Sequence, residues 1–141
     1  MQLVSNITLL QIALGDKVDT GLIYSRKQIG IGAFTLIKSD ESDFCQKVEI
    51  VPGDFIVKAR NLLLPKVVKI DVEGYEYPVI IGLQKTLSQK SCQLVCCEIH
   101  SILFPSGTKT QMILDLLKSM GFNQIKIHNR GGEIHAICYK K

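Results

Sequence analysis

The sequence predicts an α/β fold, a doubly wound and mostly parallel sheet that closes in an antiparallel hairpin. Three observations predict it. Lys66 to Asp71 and Gln93 to His100 are continuously rather than alternately apolar, as strands covered on both faces are. Each is followed by a stretch of helical periodicity, so the middle of the chain runs strand, helix, strand, helix. Two further apolar runs flank Asn129-Arg130-Gly131-Gly132, a hairpin turn sequence.

The elements follow in order. Ile7 to Ala13 is apolar and β-leaning and is closed by Gly15-Asp16, which predicts a strand ending in a turn. Leu22 to Tyr24 and Ala33 to Ile37 flank Gly30 and Gly32 and are expected to pair as a hairpin. Val48 to Val51 predicts a short strand. Pro52-Gly53-Asp54 then opens an apolar-periodic helix, Phe55 to Leu64, that stops at Pro65. After the strand Lys66 to Asp71, apolar residues at Val79, Ile80, Leu83 and Leu87 place an amphipathic helix over about Glu76 to Gln89, with Pro78 tolerated in its first turn. The strand Gln93 to His100 comes next. Thr108 with Gln111 reads as a capping box, Met112, Ile113, Leu116, Leu117 and Met120 form one face, and Gly121 ends the helix. Gln124 to His128 and Ile134 to Tyr139 make the closing hairpin.

Composition narrows the function classes. The 141 residues, 46% hydrophobic and 21% charged, suffice for one globular core, so 1–141 is read as a single domain or one large piece of one. No apolar run reaches the roughly 18 residues that span a bilayer, and Met1 to Asn6 lack signal-peptide features, so no membrane is expected and the cytosol is the default location. Five cysteines, two of them the neighbours Cys96 and Cys97, read as reduced thiols, without zinc-ligand spacing. The net charge of +4 comes from scattered lysines with few aromatics beside them, so no nucleic-acid partner is expected.

In open α/β sheets ligands bind beyond the carboxyl ends of the strands, where Asp71, Glu73, Gly74, Glu98 and His100 fall. Asp71 ends a central strand and is a candidate functional acid. Glu73 admits two readings, a group that acts on a ligand or one that caps the next helix, with Gly74 supplying the turn. His100 lies two residues after Glu98, on the same side of its strand, as an oriented base or as a polar residue at a strand end. His128 and His135 are placed away from this edge. Asp71, Glu73 and His100 lack a diagnostic metal spacing, and no metal is expected.

The segment Lys69-Ile70-Asp71-Val72-Glu73-Gly74-Tyr75-Glu76, with Val79, Gly82 and Leu87 after it and then Glu98-Ile99-His100, resembles the FkbM methyltransferase family. Asn6 to Asp16 is similar to the family's strand ending in alanine-leucine-glycine, and Gly30 to Leu36 to its hairpin. Pro52-Gly53-Asp54 is a weaker match to the leucine-aspartate that precedes the family's helix.

The resemblance implies a class I methyltransferase-like, Rossmann-like sheet and transfer of a methyl group from S-adenosylmethionine, usually to a hydroxyl of a carbohydrate or other small metabolite. It implies that Asp71 faces the reaction centre and the cofactor, that Glu73 and His100 are supporting or alternative bases, and that Gln11 and Ala13 lie near the adenine. The family's opening strand with its glycine-rich turn, and the next strand ending in an acid, have no counterpart in this sequence. The domain is therefore expected to be truncated, lacking the first strands. Self-association or a complementing chain is the expected remedy, and a non-catalytic binding or assembly module the alternative function.

Overall fold

The computed structural model describes residues 6–25, 34–37 and 44–141. Two mixed four-stranded sheets make up the α/β architecture. The first has the order β1-β4-β2-β3, with β1 Ala13–Gly15, β2 Asp19–Ser25, β3 Phe34–Thr35 and β4 Phe44–Pro52. The second has the order β5-β6-β8-β7, with β5 Val67–Ile70, β6 Leu94–Ile99, β7 Gln124–Arg130 and β8 Glu133–Tyr139. Among the described residues parallel pairing is confined to β1 with β4 and β5 with β6; every other pair is antiparallel. The expectation of one mostly parallel sheet is corrected to this extent.

The first strand is shorter than its apolar run. Only Ala13–Gly15 meets β4, and Ile7 and Leu9 stay 72% and 89% exposed. The expected hairpin is present, with Tyr24 opposite Thr35, while Gly30 and Gly32 lie outside the described residues.

Helix α1, Gly53–Ala59, ends well before Leu64. Asn61 adopts a left-handed φ of 49°, a conformation that closes helices and that asparagine tolerates. The leucines beyond it are exposed, Leu63 by 94%.

The single helix expected over Glu76 to Gln89 is two, α2 Glu76–Gly82 and α3 Gln84–Ser88. Asp54 explains the break. Its carboxylate accepts the backbone N–H groups of Lys85 and Thr86, each at 2.8 Å, which an unbroken helix would give to its own carbonyls. A residue that reads as the opening of α1 in fact caps α3.

The long helix α4 covers Thr110–Ser119. Its N-cap is Lys109 without a side-chain bond, and the Gln111 amide donates instead to Asp115 Oδ1 at 2.7 Å, so the capping box is not formed. Its buried residues are Ile113, Leu114 and Leu117, with Met112 turned outward. The hairpin β7–β8 turns through Gly131 and Gly132, both at positive φ (59° and 97°), as a tight two-residue loop requires. It enters the sheet with β8, not β7, against β6.

The core lies between the second sheet and helices α2 and α4. Val95, Cys97 and Ile99 of β6 are buried against Ile80, Leu87, Ile113, Leu117 and Phe122. Each fully buried large side chain contributes about 1.5–3 kcal/mol. The other face of β6, with Leu94, Cys96 and Glu98, is half-buried. All five cysteines are free. No helix among the described residues is long and apolar enough to cross a membrane.

Candidate active site

The chain leaves β5 at Asp71 and turns sharply through Glu73 (φ 51°) and Gly74 (φ 95°) before α2 begins at Glu76. Two consecutive left-handed residues are costly unless the surroundings impose them. They do so here. Thr35 Oγ1, reaching over from β3, donates to the Glu73 carbonyl at 2.6 Å, and the Gly74 N–H donates to Glu76 Oε1 at 2.9 Å. Only glycine fits at 74, because a Cβ would stand 2.7 Å from both the Cβ and the carbonyl oxygen of Leu103.

Glu76 has no solvent exposure, and the same Oε1 lies 2.8 Å from Nδ1 of His100, itself only 6% exposed at the end of β6. A carboxylate on Nδ1 fixes the neutral ring as the Nδ1–H tautomer and leaves the Nε2 lone pair free. That atom faces Glu73 Oε1 at 3.6 Å, Asp71 Oδ1 at 4.0 Å and Glu133 Oε1 at 4.0 Å. Lys69 Nζ holds the other oxygen of Asp71 at 2.8 Å and reaches Glu98 Oε1 at 2.9 Å.

The charges tune one another. Burial would depress the His100 pKa, but the hydrogen bond its ring donates to Glu76 and the charges of Glu73, Glu76 and Glu133 together raise it above the ordinary value. Burial likewise raises Glu73; His100 opposes this, while Asp71, Glu133 and Glu76 add to it. Lys69, paired with Asp71 and Glu98, is driven far up and stays charged.

Asp71, Glu73 and His100, picked out from the sequence as strand-end residues, thus meet within 4.8 Å of one another. Gln11 and Ala13 do not join them. Gln11 is exposed, Ala13 is half-buried in β1 of the other sheet, and no hydrogen bond or ion pair among the described residues links either to the cluster. A cleft of about 540 Å³, bordered by Asp16, Pro52, Phe55 and Lys85, likewise lies apart from it.

The placement of His135 away from the edge is corrected: it sits opposite Glu98 across β6 and β8, with Nε2 3.7 Å from Glu133 Oε2 and 4.0 Å from Glu98 Oε2. The sequence shows Lys69 and Glu76 only as members of the motif, without a role, and gives no sign of Glu133. Lys69 stands two residues before Asp71, on the same side of the strand, which was a readable signal. Glu133 and His135 reach the site only because β8 is inserted next to β6.

Polar, ionisable groups are thus collected where two parallel strands end, the edge at which open α/β sheets bind ligands. The chain belongs to the FkbM methyltransferases: the model of the methyltransferase FkbM domain matches residues 3–123. Hexuronic acid methyltransferase AglP of Haloferax volcanii is 36% identical over 58 residues, which are 41% of this chain. The match covers 23% of that relative's length. No solved structure matches.

Proposed function

We propose that the chain carries the proton-handling side of an S-adenosylmethionine-dependent methyltransferase acting on a hydroxyl of a carbohydrate or other small metabolite. The observation that carries this reading is His100, buried, held at Nδ1 by Glu76 and presenting Nε2 beside Asp71 and Glu73.

S-adenosylmethionine, when bound, supplies an activated methyl group on a positively charged sulfur. The residues present suit that charged end, since Asp71, Glu73, Glu98 and Glu133 gather at the edge, with Lys69 paired to Asp71 and Glu98. Asp71 stands nearest the methyl donor in this reading, with Gln11 and Ala13 toward the adenine. His100 Nε2 accepts the acceptor's hydroxyl proton, Glu76 keeps the ring in place, and the carboxylates of Asp71 and Glu73 stabilise the resulting imidazolium.

The unit is proposed to be one incomplete domain. Among the described residues β1 and β5 each end a sheet with one edge unpaired, and Val67 on β5 is 57% exposed. Parallel strands are rarely left bare in this way. Further strands, from the same protein or a companion chain, are expected to cover these edges and supply the remaining cofactor contacts. The same edges favour the second reading, an assembly module without catalysis.

Calorimetric titration of the purified chain with S-adenosylhomocysteine tests the enzyme reading. Saturable binding that weakens at least about tenfold in Asp71→Ala is expected. Absence of binding would sink the stand-alone enzyme and leave the assembly module.

A further inference from the structure

We infer that Asp71, Glu73 and His100 form a binding site for one divalent cation of the manganese or zinc kind, with solvent or a ligand completing its coordination. Ligand identity is suitable: carboxylates favour manganese, imidazole favours zinc and its neighbours, and a mixed set accepts either.

Two atoms that share one ion at about 2.1 Å each stand roughly 3.0–4.2 Å apart, depending on the angle between them. The separations of His100 Nε2 from Glu73 (3.6 Å) and Asp71 (4.0 Å) fall in that interval and are too long for hydrogen bonds. An independent observation points the same way. The His100 side chain is 6% exposed, yet its Nε2 has no hydrogen-bond partner among the described residues and is aimed into the cluster.

The outer shell is also in place. Metal-bound histidines give their other ring N–H to a carboxylate, which fixes tautomer and direction, and Glu76 does this for His100 at 2.8 Å. Lys69 occupies Asp71 Oδ2 and leaves Oδ1 facing His100. The neighbouring group of Glu98, Glu133 and His135 is a poorer candidate because its histidine is 27% exposed, against 6% for His100, and no carboxylate holds its other ring nitrogen among the described residues.

The site stands on this geometry alone; its role rests on the methyl-transfer reading. A cation and a proton are alternative occupants of Nε2. With the cation bound, an acceptor hydroxyl is activated by coordination and its proton passes to solvent, and an acceptor that bears a carboxylate can approach an edge that otherwise repels it.

The test is titration of the untagged full chain with manganese chloride, followed by calorimetry and by electron paramagnetic resonance, without any methyl donor. One saturable site is expected, with a spin-echo modulation from a coordinated imidazole nitrogen. Affinity should fall at least about tenfold in Asp71→Asn and Glu73→Gln, which alter partly exposed groups, and about 10–100-fold in Glu76→Gln. Circular dichroism confirms that each variant is folded. No saturable binding, binding without the nitrogen signal, or binding lost in His135→Gln but not in Asp71→Asn would overturn the proposal. None of these outcomes bears on homocysteine-cofactor binding, so the two readings fail separately.

Discussion

Glu76 is a carboxylate without solvent exposure whose Oε1 takes hydrogen bonds from the Gly74 N–H and the His100 ring, while its Oε2 has no partner among the described residues. Such a group is expensive to bury unless its pairing is secure. Removing its charge in Glu76→Gln leaves burial as the dominant influence on His100, so the imidazole is expected to titrate at lower pH than in the parent, as followed by proton NMR with a chelator present. An unchanged titration would show that Glu76 does not tune the ring. The sign for stability follows. A histidine whose pKa is raised on folding adds stability that is fully present below about pH 6.5 and is lost as pH rises through the folded value. Urea midpoints of the parent should therefore decline above that pH, and decline less in the variant. At this scale Asp71, Glu73 and His100 were legible because strand ends are where such sheets bind ligands. Glu76 was visible only as part of a motif, since no spacing rule links it to a histidine on another strand.

Helix α2 crosses the end of β1 at a point where both partners are glycine. A Cβ at Gly82 would lie 1.8 Å from the carbonyl oxygen of Gly15 and 3.3 Å from the Pro52 Cα, and backbone cannot yield as a flexible side chain can. Gly82→Ala is expected to cost about 1–3 kcal/mol in urea denaturation by prying the first sheet from the helix, against the usual gain of replacing glycine in a helix. A neutral or stabilising result would mean that the two layers separate freely. The positions of the elements could be read from apolar runs and turn residues, their extents less so. The run before Ala13 pairs with no strand among the described residues, Asn61 stops α1, and Asp54 divides the second helix from a distance no local pattern encodes.

At the scale of the molecule the expected alternation of strand and helix is present, but the described residues form two sheets, each with a single parallel pair. Continuous apolar runs announce burial without saying which neighbour provides it, and so the antiparallel share was not readable. The bare edge of β5 makes an association prediction. In sedimentation velocity at tens of micromolar the chain should form dimers or larger species, and Val67→Lys, which places a charge on the open edge, should shift it toward monomer. A parent that stays monomeric over that range would remove the case for edge-mediated assembly.

The insertion of β8 beside β6 also sets a timetable. As the polypeptide emerges from the ribosome, β6 with its sequence LVCCEI must wait, one edge bare, while α4 and β7 are synthesised before its neighbour exists. At roughly 5–20 residues per second that interval lasts a few seconds, long for an apolar strand in a crowded cell. Between the making of β6 and the arrival of β8 the nascent chain thus presents an unpaired apolar strand, and a ribosome-associated chaperone is expected to crosslink to it in that window and to release once β8 has emerged.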